Sequence, residues 1–121
     1  MTEVFRIQDM TGRGPWRPGF SEVWSDTGKD TFTLPNIFQD FGMEILKRMR
    51  KANKAGLHCG CACIDLETLN KWFSEREKAK LLTLGFQIVS LNVDVILARS
   101  KMQIVYGRLL PNSVVGKVIL K

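Results

Sequence analysis

The sequence predicts an α+β fold: a single domain with a mixed, mostly antiparallel sheet covered by one long and two short helices. Three observations carry this. β-prone runs with alternating apolar residues recur at VFRIQ, FQIVSLNV and MQIVY. The helical stretches between them carry recognisable starts, Asp65 ahead of LETLNKWF and the S-x-x-E capping box of Ser74 and Glu77. The resulting order, β–loop–α–β–α–α–β–β with a last edge strand, is that of a sheet with helices packed on it.

The first strand is read at Val4–Gln8, where alternation puts Arg6 on the face opposite Phe5 and Ile7. Residues 10–35 then form a loop punctuated by Gly12, Gly14, Pro15, Pro18 and Gly19. Trp16, Phe20 and Trp24 give that loop enough apolar surface to pack onto the domain. Asn36 is placed to cap the long helix, Ile37 to Asn53, whose apolar positions Ile37, Phe41, Ile45 and Met49 recur every four residues.

A strand–helix–helix–strand–strand unit fills 57–121. The strand is Leu57–Ile64, followed by Asp65 as cap and a helix over Leu66–Phe73. Leu66, Leu69, Trp72 and Phe73 share the core face of that helix. A second helix starts at Ser74 and ends near Gly85, leading into the strand Phe86–Val93. Val95–Ala98 either extends this strand after a bend or pairs with it. Met102–Tyr106 and the edge segment Val114–Leu120 complete the order.

With 45% hydrophobic and 25% charged residues, the 121-residue chain has the balance of a globular domain able to bury a core. No apolar run approaches the roughly 20 residues that span a bilayer, and MTEVFRIQDM lacks the basic start and apolar core of a signal peptide. The expectation is a cytoplasmic protein with no membrane partner. The formal net charge of +6 admits nucleic acid, a phosphorylated ligand or an acidic protein surface as partner.

The histidine and all three cysteines fall in HCGCAC, at His58, Cys59, Cys61 and Cys63. They are a site, or they are small side chains where a strand meets a helix. Strand alternation separates His58 and Gly60 from the thiols, and no second ligand cluster exists, so no metal is expected. Cysteines two apart on one strand face lie about 7 Å apart, too far for a comfortable disulfide. The thiols read as reduced and buried.

Arg6, Arg13 and Arg17 are close enough in sequence to gather around an anion, the alternative being three exposed arginines. Trp16 and Trp24 beside them suit a flat ligand or a protein partner. At the end of the long helix, Lys47, Arg48, Arg50, Lys51 and Lys54 form a basic run, read either as a solvated helix end or as a binding patch.

The strings VFRIQD, GRGPW, CIDLETLNKWF, LGFQIV and KMQIVY resemble a group of small proteins of phages and prophages. More distantly, their arrangement is similar to the core of ADP-ribosyltransferases. That second resemblance implies NAD as cofactor, Arg6 as the first-strand arginine on its phosphates, and Gly60, Cys61 and Cys63 on the strand entering the next helix. It also implies Gln103 near the position of a catalytic glutamate. The chain lacks the Ser-Thr-Ser of that family, and Gln103 carries no charge.

The expected function is that of a phage accessory protein binding a host protein or a protein–nucleic-acid complex in the host cytoplasm, with inhibition of a host defence as one version. The alternatives are an NAD-using or nucleotide-binding protein, with Arg6, Arg13, Trp16, Arg17 and Cys61 on the ligand, and direct nucleic-acid binding through Arg48, Arg50, Lys51 and Lys54.

Overall fold

The computed structural model describes residues 1–15, 24 and 37–120. Trp16, Arg17, Phe20 and the cap position Asn36 lie outside the described residues. The elements are β1 (Thr2–Gln8), α1 (Ile37–Phe41), α2 (Glu44–Lys54), β2 (His58–Ala62), α3 (Leu66–Trp72), α4 (Glu75–Thr83), β3 (Gln87–Val93), β4 (Val95–Arg99), β5 (Ile104–Arg108) and β6 (Lys117–Leu120).

The fold is α+β, with every strand pairing antiparallel. Where the sequence reading had one mixed sheet, the described residues form two three-stranded sheets, ordered β1-β3-β6 and β2-β5-β4. A bridge joins their edges: Phe5 and Cys63 exchange backbone hydrogen bonds of 2.8 and 2.7 Å. β4 is the partner of β5, in the sheet opposite β3.

Strand alternation then builds a sandwich. Val4 of β1 and Val89, Leu91 and Val93 of β3 meet Ala62, Ile104 and Tyr106 of the second sheet in one apolar layer. The other face of the first sheet, through Ile7 and Ile88, packs with Leu69, Trp72, Phe73, Leu81 and Trp24. On the far side, α2 lies against β2, β4 and β5 and buries Ile45 and Ala52. The order of layers is therefore α3/α4, sheet, sheet, α2.

The long helix is broken. Gly42 adopts φ 76°, a left-handed conformation that an L side chain enters only with strain, and the chain restarts as α2 after Met43. The four-residue apolar spacing runs straight across this break and conceals it. The two downstream helices begin at their sequence signals. Asp65 accepts a 2.8 Å bond from the Thr68 amide, and Ser74 and Glu77 form a reciprocal box of 3.1 and 2.8 Å. In β4 the register shifts between Ile96 and Ala98, and the carbonyl of Leu97 there accepts from Arg48 Nη1 at 2.8 Å.

Candidate functional site

Arg6 stands on the inner face of β1 because it alternates with Phe5 and Ile7, which leaves a guanidinium between two sheets. It is 9% exposed. Nη1 donates to the Tyr106 hydroxyl at 2.6 Å and Nη2 to the Gly12 carbonyl at 3.1 Å, while Nε has no partner among the described residues. The guanidinium carbon lies 6.0 Å from the centre of the Tyr106 ring. That is the outer limit of a cation–π contact, so the hydroxyl bond is the stronger link. No carboxylate among the described residues forms an ion pair with Arg6.

Gly60 makes this arrangement possible. It faces Tyr106 across the β2–β5 ladder, and a Cβ at residue 60 would stand 2.7 Å from Tyr106 Cζ and collide with Arg6 Nη1. The turn that supplies the second acceptor is tied by Asp9, whose Oδ1 accepts from the amides of Thr11 and Arg13 at 2.9 and 3.0 Å. Within it Gly12 has φ 90° and passes so close to Asn112 and Ser113 that a side chain would meet their backbone within 3 Å. Gly12-Arg13-Gly14 is therefore a constrained turn.

Asn112 closes the network. Its Oδ1 accepts from the Tyr106 hydroxyl at 2.8 Å, its Nδ2 donates to the Cys59 carbonyl at 3.2 Å, and its own carbonyl accepts from Gln8 Nε2 at 2.7 Å. Burial pushes the Tyr106 hydroxyl above its ordinary pKa, opposed by Arg6 and Arg108. The phenol is therefore a neutral donor and acceptor at physiological pH, and cannot neutralise Arg6.

Beside this network lies a cavity of about 470 Å³, within the range of small-molecule sites. Arg6, Arg13, Cys61 and Gln103, chosen from sequence for different reasons, all line it. So do Gly12, Gly60 and Asn112 on the polar side, and Phe5, Leu69, Trp72 and Phe73 on the apolar side. Trp72 is fixed by a 3.1 Å bond from its Nε1 to the Met102 carbonyl; Phe73 leans on Trp24 at 5.6 Å between ring centres. Trp24 is itself buried and donates to the Pro15 carbonyl at 3.2 Å, so it belongs to the core.

The chemistry of the walls is that of recognition. Among the described residues no carboxylate lines the cavity. Burial raises the Cys61 pKa against the pull of Arg6, and burial, with Asp65 and Cys61 nearby, pushes Cys63 up to about 12. Both stay thiols at neutral pH, and a thiol is a poor nucleophile. Gln103 is held away from free movement: Nε2 donates to Asp40 Oδ2 at 3.1 Å, an oxygen that also takes the Ser100 hydroxyl at 2.6 Å. His58 is exposed, and no three His, Cys, Asp or Glu side chains among the described residues converge on a metal-sized site.

The other group of sequence candidates sits elsewhere. Arg48, Arg50, Lys51 and Lys54 are exposed on α2, on the opposite side of the second sheet from Arg6. Sequence reasoning missed Tyr106, Asn112 and Gly12 as the partners that hold Arg6. Alternation along MQIVY does put Tyr106 on the same face as Ile104, but nothing local reveals that Gly60 lies opposite.

In comparisons with known proteins, the family profile described as Bacteriophage T4 Y00F protein matches residues 1–113. No curated protein and no solved structure matches the chain. Among the described residues no helix is long and apolar enough to cross a membrane.

Proposed function

The chain belongs to the Bacteriophage T4 Y00F protein family, and from that premise we propose that this phage protein is an accessory factor that binds an anionic, nucleotide-like ligand in the Arg6 cavity. One observation carries the reading: a buried guanidinium with no carboxylate partner among the described residues, on the wall of an otherwise largely apolar cavity. Leaving a buried charge uncompensated is expensive. A ligand that brings its own negative charge converts that cost into affinity, and a guanidinium suits phosphate or carboxylate through the N–H groups its protein partners leave over. Trp72, Phe73 and Leu69 offer the rest of such a ligand an apolar wall.

The same walls argue for binding without turnover. With Gln103 neutral and the thiols protonated, NAD is proposed as one member of the ligand class, held through a phosphate on Arg6 and left intact. A host protein or protein–nucleic-acid complex as the target, inhibition of a host defence as the result and the host cytoplasm as the setting complete the proposal. The family membership supports the phage origin alone, and the +6 charge suits an acidic target.

The test is a thermal-unfolding panel with AMP, ADP-ribose, NAD and uncharged adenosine. A ligand at 100 times its Kd stabilises the protein by about 2.7 kcal/mol, so at least one phosphorylated probe is expected to raise the midpoint by several degrees, with adenosine inert. A flat response to all three phosphorylated probes contradicts the proposal. Consumption of NAD would return the transferase reading.

A further inference from the structure

We infer that the outward face of α2 is a second, independent site, a contact stripe for the phosphate backbone of nucleic acid. At 3.6 residues per turn, Lys47, Arg50, Lys51 and Lys54 fall within an arc of about 100°, opposite the buried Ile45 and Ala52. All four are exposed. Arg48 lies off this arc and is already used, bonded to the bulged carbonyl of Leu97 at 2.8 Å. Among the described residues the stripe therefore consists of four cations with one weak counter-charge, Glu44 at 4.0 Å from Lys47 with both side chains exposed.

The fold gives no reason for this crowding. Lys47 with Arg50, Lys51 with Lys54, Lys47 with Lys51 and Arg50 with Lys54 are like-charged pairs three or four residues apart. Each such pair destabilises a helix. Attraction to the helix C-terminus reaches only the last turn and leaves Lys47 unexplained. From Ile45 to Ile64 the chain contains no Asp or Glu, so Glu44 is the one acidic neighbour in sequence and it reaches only Lys47.

A polyanion does relieve it, and the surface selects which kind. The stripe has no aromatic or aliphatic anchor between its cations, whereas protein interfaces are built around such anchors and are poor in lysine. A row of cations on a straight rod, with i to i+4 steps of about 6 Å, is suited instead to a repeating line of phosphates. Binding of this kind is electrostatic and indifferent to sequence.

The test is fluorescence anisotropy with a labelled 20-base-pair DNA duplex of mixed sequence, titrated at several salt concentrations. Four phosphate contacts give a slope of log K against log salt of about −3.6, or about a 150-fold loss of affinity between 50 and 200 mM. Lys51→Gln and Lys54→Gln are each expected to reduce the slope by about 0.9. Two four-site variants separate the stripe from net charge. Lys47→Gln/Arg50→Gln/Lys51→Gln/Lys54→Gln should abolish binding, while Lys71→Gln/Lys80→Gln/Lys101→Gln/Lys117→Gln, with the same change in charge at exposed sites elsewhere, should keep the slope. Absence of binding at 50 mM salt, equal losses in the two four-site variants, or preferential binding of poly-glutamate to the stripe would overturn the inference.

Discussion

Gly60→Ala is expected to cost about 3 kcal/mol of stability and to dismantle the Arg6 network, although it adds a single methyl group. The added carbon would stand 2.7 Å from Tyr106 Cζ and against Arg6 Nη1. The arginine tip can swing, but the Tyr106 ring is fully buried between the sheets and cannot. Overpacking of this kind costs about 1–3 kcal/mol. Separating Arg6 from the Tyr106 hydroxyl adds the cost of buried polar groups left without partners, again about 1–3 kcal/mol. Urea unfolding checks the result; a loss below about 0.5 kcal/mol would show that the sheets can part there and that the close approach is not a constraint.

Alkali is expected to destabilise the protein through Cys63, by about 4 kcal/mol between pH 9 and pH 12. Burial is the main reason its thiol is pushed up from 9.0 to about 12, with the Asp65 carboxylate and Cys61 adding to it. Below pH 9 the thiol is protonated folded and unfolded alike, and the native packing of Cys63 is fully present. Above pH 9 the unfolded chain loses the proton while the folded chain retains it, so stability falls until the folded thiol ionises near 12. At about 1.4 kcal/mol per pH unit, that interval gives the stated loss. To isolate Cys63, the measurement is the difference between the wild type and Cys63→Ala, followed by denaturant unfolding from pH 8 to 12. The difference should shift in favour of the variant by about 4 kcal/mol. A pH-independent difference would mean that Cys63 ionises as readily in the fold as in water.

What could be read from the chain was local. Asp65 and the Ser74–Glu77 box announced two helices because a cap is a contact between residues three apart. Alternation placed Arg6 opposite Phe5 and Ile7, which amounts to placing it inside once both faces of β1 are covered. The break at Gly42 was hidden because Ile37, Phe41 and Ile45 keep helical spacing across it. The division into two sheets was invisible for a different reason: it depends on β4 pairing with β5 instead of extending β3, and both choices suit the sequence VILAR.

The site followed the same rule. Arg6, Arg13, Cys61 and Gln103 could be singled out one at a time, and the fold brings them to one cavity. Their supports come from 100 residues away in the chain, in Tyr106, and from a loop asparagine, Asn112, with no helical or strand pattern to mark it. The buried Arg108, bonded to the carbonyls of Asn92 and Pro111 at 3.0 and 2.9 Å, was missed likewise, since its acceptors are backbone atoms brought near only by the fold.

On the proposed function, Arg6 is held in readiness for an anion. Calorimetric titration of AMP into the wild type and into Arg6→Met tests it most directly. Arg6→Met removes a costly buried charge but leaves the Gly12 carbonyl and the Tyr106 hydroxyl without their donor, so its unfolding midpoint is measured alongside and the titration is run where the variant is folded. Binding to the wild type, about 100-fold or more weaker binding to Arg6→Met, and no binding of adenosine to either are expected. Equal affinity of the two proteins for AMP, or no binding to the wild type, would contradict it.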